Sequence, residues 1–152
     1  MSKLTDDNAS SLPDVIAGSG VHLIAEWYGC DFATLALNDA KTLRATCLSE
    51  VAGSGLNVVG DAFHQFEPHG VTGTILLAES HLAIHKRPEH GLVTIDIYVC
   101  NLSCDNSGKA HKLYAAVRRY FNPDREHFAQ LLRGRMLADE AAKPAVSSYR
   151  CP

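Results

Sequence analysis

The chain has 152 residues, of which 46% are hydrophobic and 20% charged, with a formal net charge of −3 at pH 7. This composition predicts one globular domain with a sizeable core, and the scattered lysines and arginines disfavour a nucleic-acid partner. Charged residues or histidines interrupt every long apolar stretch, which excludes a membrane-spanning helix, and five cysteines without framework spacing predict a reduced, cytoplasmic protein.

Hydrophobic periodicity predicts five or six strands and two helices between polar ends. In chain order these are a strand at 20–29, a helix within 32–55, strands at 56–66, 71–80, 81–85 and 92–100, a helix at 107–121 and a weakly indicated strand within 126–134. Residues 1–17 and 138–152 show no period and lack a secretory signal, so we expect a flexible arm and a flexible tail around a single domain at 18–137.

This order predicts an α+β fold. Two helices cannot cover both faces of so wide a sheet, so both are expected on one face. The expected architecture is a two-layer α/β sandwich with a mainly antiparallel sheet. Its other face would pack on a second protomer or line a site. Residues 86–91, "KRPEHG", are expected to form a loop.

The segment "LLAESHLAIHKRPEHG", residues 76–91, holds more titratable groups than a core strand needs. Four interpretations compete. Ser80 and His81 could simply occupy a turn, which is the usual role of such a triplet. His81 and His85, four apart on one strand face, could bind a metal with nearby histidines, although no HExxH or CxxC pattern is present. A serine hydrolase is disfavoured because the G-x-S-x-G elbow is missing.

The fourth interpretation is self-cleavage at the Glu79–Ser80 bond. The serine hydroxyl attacks its own preceding carbonyl and converts the amide to an ester. A base then removes the serine α-proton, and β-elimination followed by hydrolysis leaves a pyruvoyl group at the new N-terminus. Such a ketone forms a Schiff base with a substrate amine and accepts the electrons released on loss of CO₂. Ser80, a histidine base such as His85 and an acid such as Cys100 supply the required groups.

Several segments together resemble one known family. They are "GVHLIAEWYGCD", "FHQFEPHGVTGTILLAESHLAIH", "PEHG" and "IDIYVC", which match in order and spacing over roughly residues 18 to 125. On this pattern the chain resembles the prokaryotic S-adenosylmethionine decarboxylase proenzymes. The resemblance implies a sandwich fold, a pyruvoyl group derived from Ser80, two processed chains that stay associated, and a homodimer that shares residues across two sites. It also implies a small amino-acid-type substrate and a part in polyamine synthesis.

The resemblance assigns roles to individual residues. Glu79–Ser80 is the expected processing bond, His85 the base for elimination, and Cys100 the proton donor to the product carbon. Thr72 carries a hydroxyl linked to processing. The expected substrate-binding residues are Phe66, which stacks on adenine, Glu89, which binds the ribose hydroxyls, and Glu26, whose role is least defined. No metal is expected.

The chain departs from the family pattern at three places. Thr72 replaces the usual serine, and Val99 and Asn101 flank Cys100 in place of the common "TCG". Lys86 and Arg87 replace the threonine and tryptophan of "HTWPEYG". A cation near the substrate sulfonium, at about 6–8 Å, costs on the order of 0.5 kcal/mol, and the lost aromatic contact about 1 kcal/mol more.

These departures leave the substrate open. The two costs together weaken binding by roughly one to two factors of ten. S-adenosylmethionine therefore remains the first expectation, and decarboxylation of ornithine or arginine by the same chemistry is the alternative. A non-catalytic relative is less expected because Ser80, His85 and Cys100 are all present.

Overall fold

The computed structural model describes residues 19–32, 39–102 and 104–134. The predicted arm at 1–17 and tail at 138–152 lie outside these residues. In chain order the elements are β1 (Gly20–Tyr28), α1 (Ala40–Ser54), β2 (Val58–Gln65), β3 (Val71–Leu77), β4 (Ser80–Arg87), a 3₁₀ turn (Pro88–His90), β5 (Leu92–Val99), α2 (Ser107–Phe121) and β6 (Arg125–Arg133).

The strands form one six-stranded antiparallel sheet in the order β2-β3-β4-β5-β1-β6. The weakly predicted final strand is confirmed as β6, which pairs with the whole length of β1 at the sheet edge. Its side chains are mostly exposed. An edge strand with little burial lacks the clean alternation of apolar and polar residues, which explains why its sequence signal was weak.

Both helices pack on one face of the sheet, which confirms the predicted two-layer α+β sandwich. α1 begins at the N-cap Asp39, whose carboxylate accepts from the Thr42 N–H at 2.8 Å, and ends at Gly55 with a left-handed φ of 82°. The core under the helices includes Trp27, which is fully buried and whose Nε1 donates to the Tyr114 hydroxyl at 3.0 Å.

The opposite face of the sheet, called the open face below, carries no helix in the described part of the chain. One row of polar side chains crosses all six strands on this face through directly paired positions. In strand order the row consists of His64, Thr72, His85, Thr94, Glu26 and His127. The open face is the one that the sequence predicted to pack on a second protomer or to line a site.

The prediction of a loop at 86–91 is wrong for its first two residues. β4 continues to Arg87, and only Pro88–His90 form a 3₁₀ turn, which ends at Gly91. Because strand residues alternate between faces, Lys86 points into the helix side and is 2% exposed. Its Nζ lies 4.7 Å from the centre of the Phe32 ring. Arg87 remains exposed on the opposite side.

The expectation of fully reduced cysteines also needs correction. Cys30 and Cys47 are free thiols in the core, and Cys100 is a free, partly buried thiol. Cys104 is disulfide-bonded. The odd number and irregular spacing of the cysteines gave no signal for this bond. Among the described helices, none has the length and apolar character that crossing a membrane requires.

Candidate active site

The Glu79–Ser80 peptide bond lies in the tight turn between β3 and β4. Leu77 pairs with Ser80, so only Ala78 and Glu79 form the turn. The Ala78 N–H donates to the Asn57 carbonyl at 2.8 Å. The local alternation of β3 and β4 sets the register, and a register set in this way fixes the turn at one pair of residues. Ser80 is therefore the first residue of a paired strand.

The Glu79 side chain and carbonyl are both held. The carboxylate is 4% exposed and accepts from the Asn57 N–H at 3.1 Å and from Asn57 Nδ2 at 2.8 Å. The Glu79 carbonyl oxygen accepts from the Cys100 N–H at 2.8 Å. This backbone donor polarises the carbonyl that precedes Ser80 and stabilises negative charge on its oxygen.

The pairing of β4 and β5 places the Cys100 backbone beside the Glu79–Ser80 bond. Ser80 pairs with Val99, which places Cys100 directly beyond the end of the pair. The segment after Cys100 is fixed by Asn106, whose Nδ2 donates to the Cys100 carbonyl at 2.9 Å. The two other free thiols differ in setting, because burial raises the pKa of Cys30 to about 11 and that of Cys47 to about 12. Those two remain protonated core residues.

The other predicted site residues lie at the far end of β4. Thr72 Oγ1 and His85 Nδ1 are hydrogen-bonded at 2.5 Å across β3 and β4. A cavity of about 270 Å³ lies beside them, lined by Phe66, His69, Gly70, Val71, Thr72, His85, Lys86, Arg87 and Glu89. A second cavity of about 330 Å³ lies between β2, β3 and β4 and shares Thr72 and His85.

This arrangement divides the predicted site residues into two groups within one chain. The processing group consists of Glu79, Ser80 and Cys100. The pocket group consists of the predicted residues Phe66, Thr72, His85 and Glu89, together with Arg87, which the sequence marked only as a departure from the family pattern. Ser80 and His85 are five strand positions apart, which corresponds to about 17 Å. His85 therefore does not reach Ser80 of its own chain.

Glu26 belongs to neither group. Its carboxylate accepts from the Tyr28 hydroxyl at 2.7 Å and lies 3.5 Å from His127 Nδ1. The register places it two strands from His85 in the polar row, about 10 Å away at the usual strand spacing. Its predicted role in substrate binding stays a prediction.

The two departures at positions 86 and 87 have different surroundings. Burial lowers the pKa of Lys86, an effect opposed by the charge of Asp39. The Lys86 ammonium faces the helix side, whereas Arg87 and Glu89 both border the 270 Å³ cavity. Lys86 also lines this cavity, but its ammonium lies over the Phe32 ring, so Arg87 is the substituted residue that carries its charge outside the core.

The structure brings together three side chains on the open face, of which the sequence analysis considered only His81, as a possible metal ligand. His81 Nε2 lies 2.9 Å, and His22 Nε2 3.3 Å, from the same Asp96 Oδ1. The potential ligand atoms of the three residues lie within 4.8 Å of one another. The metal hypothesis paired His81 with His85, but the structure groups His81 with residues from β1 and β5 instead. The alternation of polar residues along these strands was the available signal.

Comparison with known proteins gives a consistent result. A family model described as S-adenosylmethionine decarboxylase matches residues 21–134. An S-adenosylmethionine decarboxylase proenzyme of Fervidobacterium nodosum is 34% identical over 132 residues, which cover 86% of this chain and 90% of the relative. One from Aquifex aeolicus is 36% identical over 106 residues, covering 70% and 74%.

Other relatives match over a shorter length. The proenzyme of Anoxybacillus flavithermus is 44% identical over 81 residues, and the match spans 64% of its length. The matched segment thus covers slightly less than two thirds of that relative. A crystal structure of the adenosylmethionine decarboxylase from Aquifex aeolicus superposes with a TM-score of 0.70 at 32% identity, covering 79% of this chain and 94% of the other.

Proposed function

Since this chain belongs to the S-adenosylmethionine decarboxylase family, we propose that it is a self-processing, pyruvoyl-dependent decarboxylase of S-adenosylmethionine. One observation carries the proposal most directly. The Glu79–Ser80 bond lies in a fixed turn with its carbonyl oxygen bound to the Cys100 N–H at 2.8 Å. A carbonyl held in this way is prepared for attack by the adjacent serine hydroxyl.

The residues around Ser80 fit the formation of a pyruvoyl group. Attack of Ser80 Oγ on the Glu79 carbonyl carbon forms an ester and frees the serine nitrogen. Removal of the Ser80 α-proton then breaks the Cβ–Oγ bond and releases the Glu79 carboxylate. Addition of water and loss of ammonia leave a keto group at the start of residues 80–152. The Glu79 carboxylate bound to Asn57 and the paired strand β4 keep both fragments in place after cleavage.

The complete site requires a second copy of the chain. His85 lies about 17 Å from Ser80 within one chain, which is far beyond the reach of a proton transfer. A homodimer formed through the open faces would bring the pocket group of one protomer to the processing group of the other. His85 of one chain would then remove the Ser80 α-proton of its partner, with Thr72 fixing the imidazole through their hydrogen bond.

In the processed enzyme, the pyruvoyl group supplies an electron sink for loss of CO₂. The pocket group supplies the binding site, in which the exposed Phe66 ring offers a face for adenine and Glu89 a carboxylate for the ribose hydroxyls. Cys100 lies beside the position of Ser80 and is the proposed proton donor to the product carbon. The product would serve as the aminopropyl donor in spermidine synthesis.

S-adenosylmethionine is preferred over ornithine or arginine as substrate. None of the similar proteins described above is named as an ornithine or arginine decarboxylase. Both substituted cations line the pocket, but the Lys86 ammonium is buried over Phe32, so the electrostatic cost to a sulfonium substrate comes mainly from Arg87. A cytoplasmic location is part of the proposal. The free thiols of Cys30, Cys47 and Cys100 fit a reducing compartment, whereas the disulfide of Cys104 does not.

The substrate proposal is tested by CO₂ release. The purified protein is incubated separately with carboxyl-labelled S-adenosylmethionine, ornithine and arginine, with the Ser80→Ala variant as the matched control. We expect release from S-adenosylmethionine alone, with none from the variant. Release from ornithine or arginine without release from S-adenosylmethionine would contradict the proposal. A carbonyl reagent is expected to abolish turnover, and a metal chelator to leave it unchanged.

A further inference from the structure

We propose that His81, oriented by Asp96, is the general base that activates the Ser80 hydroxyl for the first step of processing. This inference rests on the proposed self-cleavage and assigns a step to residues for which the resemblance implied no role. Two chemically different proton transfers are needed, one from the serine hydroxyl and one from its α-carbon. The structure provides a separate histidine for each.

The contacts of His81 define a relay within a single chain. Ser80 Oγ lies 3.4 Å from His81 Nδ1, and His81 Nε2 lies 2.9 Å from Asp96 Oδ1. When Nε2 carries the proton and donates to the carboxylate, Nδ1 has a free lone pair directed at the serine. A hydroxyl, an imidazole and a carboxylate in this order form the arrangement by which serine nucleophiles are activated.

Asp96 is itself held in position by neighbours on the open face. Arg133 Nη1 donates to His22 Nδ1 at 2.9 Å, which leaves the proton of neutral His22 on Nε2. His22 Nε2 then donates to Asp96 Oδ1 at 3.3 Å, opposite His81. The Arg133 guanidinium also lies 4.7 Å over the Tyr98 ring. Asp96 therefore accepts from both imidazoles, and this favours the tautomer of His81 that can act as a base.

The proposed step balances in protons and bonds. Ser80 Oγ attacks the Glu79 carbonyl carbon while its proton moves to His81 Nδ1. The negative charge passes to the carbonyl oxygen, where the Cys100 N–H binds it. The C–N bond then breaks, and the proton on His81 Nδ1 moves to the Ser80 nitrogen. The products are an ester and a free amine, and His81 returns to its starting state.

The alternative use of the same side chains is a metal site. His22, His81 and Asp96 offer two imidazoles and one carboxylate within 4.8 Å. Two observations favour the relay. The Nε2 atoms are already bonded to Asp96, and the Arg133 guanidinium beside His22 places a positive charge where a cation would bind. A metal would also leave the contact between His81 and Ser80 without a function.

The test measures ester formation apart from elimination. In a His85→Ala background, elimination is blocked and the ester accumulates, and hydroxylamine cleaves an ester under conditions that leave an amide intact. The full-length protein is made by cell-free synthesis and sampled over time into denaturing hydroxylamine. The fragments released report ester formation. Adding His81→Gln is expected to slow their appearance about a hundredfold or more, the usual contribution of a general base.

Two further measurements separate a base from a structural residue. In a His81→Gly variant, added imidazole should restore ester formation in proportion to its concentration. Asp96→Asn should slow ester formation about tenfold or more because the tautomer of His81 is no longer fixed. The matched control is His111→Gln, an imidazole exposed on α2 that bonds to Gln130 and the Ser107 carbonyl. It should form the ester at the parent rate.

The outcomes distinguish this inference from the proposed function. A His81→Gln variant that melts cooperatively and forms the ester at the parent rate overturns the inference alone. Absence of imidazole rescue together with an unchanged rate in Asp96→Asn does the same, and so does loss of wild-type ester formation in a chelator. A wild-type protein that yields no fragments with or without hydroxylamine overturns self-processing as a whole.

Discussion

Mixing two inactive variants should restore cleavage in one of them. Within one chain, five strand positions separate Ser80 from His85, a distance of about 17 Å. A proton transfer needs the two groups within about 3 Å, so action within the chain would require β4 to leave the sheet. A Ser80→Ala chain lacks the bond-breaking hydroxyl and a His85→Ala chain lacks the base. In a mixed dimer, the Ser80 of the second chain meets the His85 of the first.

The expected yield follows from random pairing. When the two variants are co-expressed in equal amounts, about half of the His85→Ala chains lie in mixed dimers. About half of all His85→Ala chains, namely those in mixed dimers, should therefore be cleaved without hydroxylamine, while the Ser80→Ala chains stay whole. Affinity tags of different mass identify the two chains on a denaturing gel. Each variant expressed alone is the control and should remain uncut.

If a mixed dimer is isolated through both tags and its His85→Ala chain remains uncut, the site is not shared between protomers. Efficient cleavage of the His85→Ala chain expressed alone would instead remove His85 from the elimination step. The first outcome would contradict the assignment of the open face as the surface that brings the two groups together.

Four further substitutions test the site and the core. Cys100→Ala should be cleaved but should turn over more slowly or protonate the product incorrectly; unchanged kinetics would remove Cys100 from the site. Arg87→Trp should lower the KM for S-adenosylmethionine about tenfold, because it removes a repelling charge and adds a stacking contact. Lys86→Thr, on the other face of the sheet, should leave this KM unchanged. Equal effects of the two substitutions on KM would contradict the assigned faces. Lys86→Met should stabilise the fold at pH 8 by about 1 kcal/mol after loss of the Phe32 contact, raising Tm by about 2–4 °C. Burial lowers the pKa of Lys86, so holding the charged ammonium in the core destabilises the fold at pH values below the ordinary lysine pKa of 10.5. The stability gained by Lys86→Met should therefore vanish in thermal melts above that pH. A gain that persists there would show that burial of the Lys86 charge is not its cause.

Local periodicity predicted most of the fold. The helix at 107–121 occurs with the predicted bounds because its apolar residues recur at helical spacing and face the sheet. The strand alternation of β1 and β5 was equally clear, since one face of each is buried. The start of α1 at Ala40 was missed because the apolar residues before Asp39 continue the helical pattern. The cap at Asp39, bonded to Thr42, decides the boundary.

Features that depend on pairing between distant segments were not predictable in the same way. The sequence predicted Lys86 in a polar loop, but β4 pairs with β5 as far as Arg87 and Leu92 and places Lys86 in the core. The relay of Ser80, His81 and Asp96 likewise depends on the register between β4 and β5. The sequence named the candidate site residues, whose roles stay predictions, and their division into two distant groups could come only from the structure.

The self-cleavage itself is tested most directly by the intact mass of the fragment that begins at residue 80. If the bond before Ser80 breaks as proposed, the purified protein yields fragments 1–79 and 80–152. The second fragment should be lighter than its unmodified sequence by one ammonia and should resist N-terminal sequencing, because a keto group replaces the amine. A single 152-residue mass with an ordinary serine at position 80, unchanged after long incubation, would contradict the account.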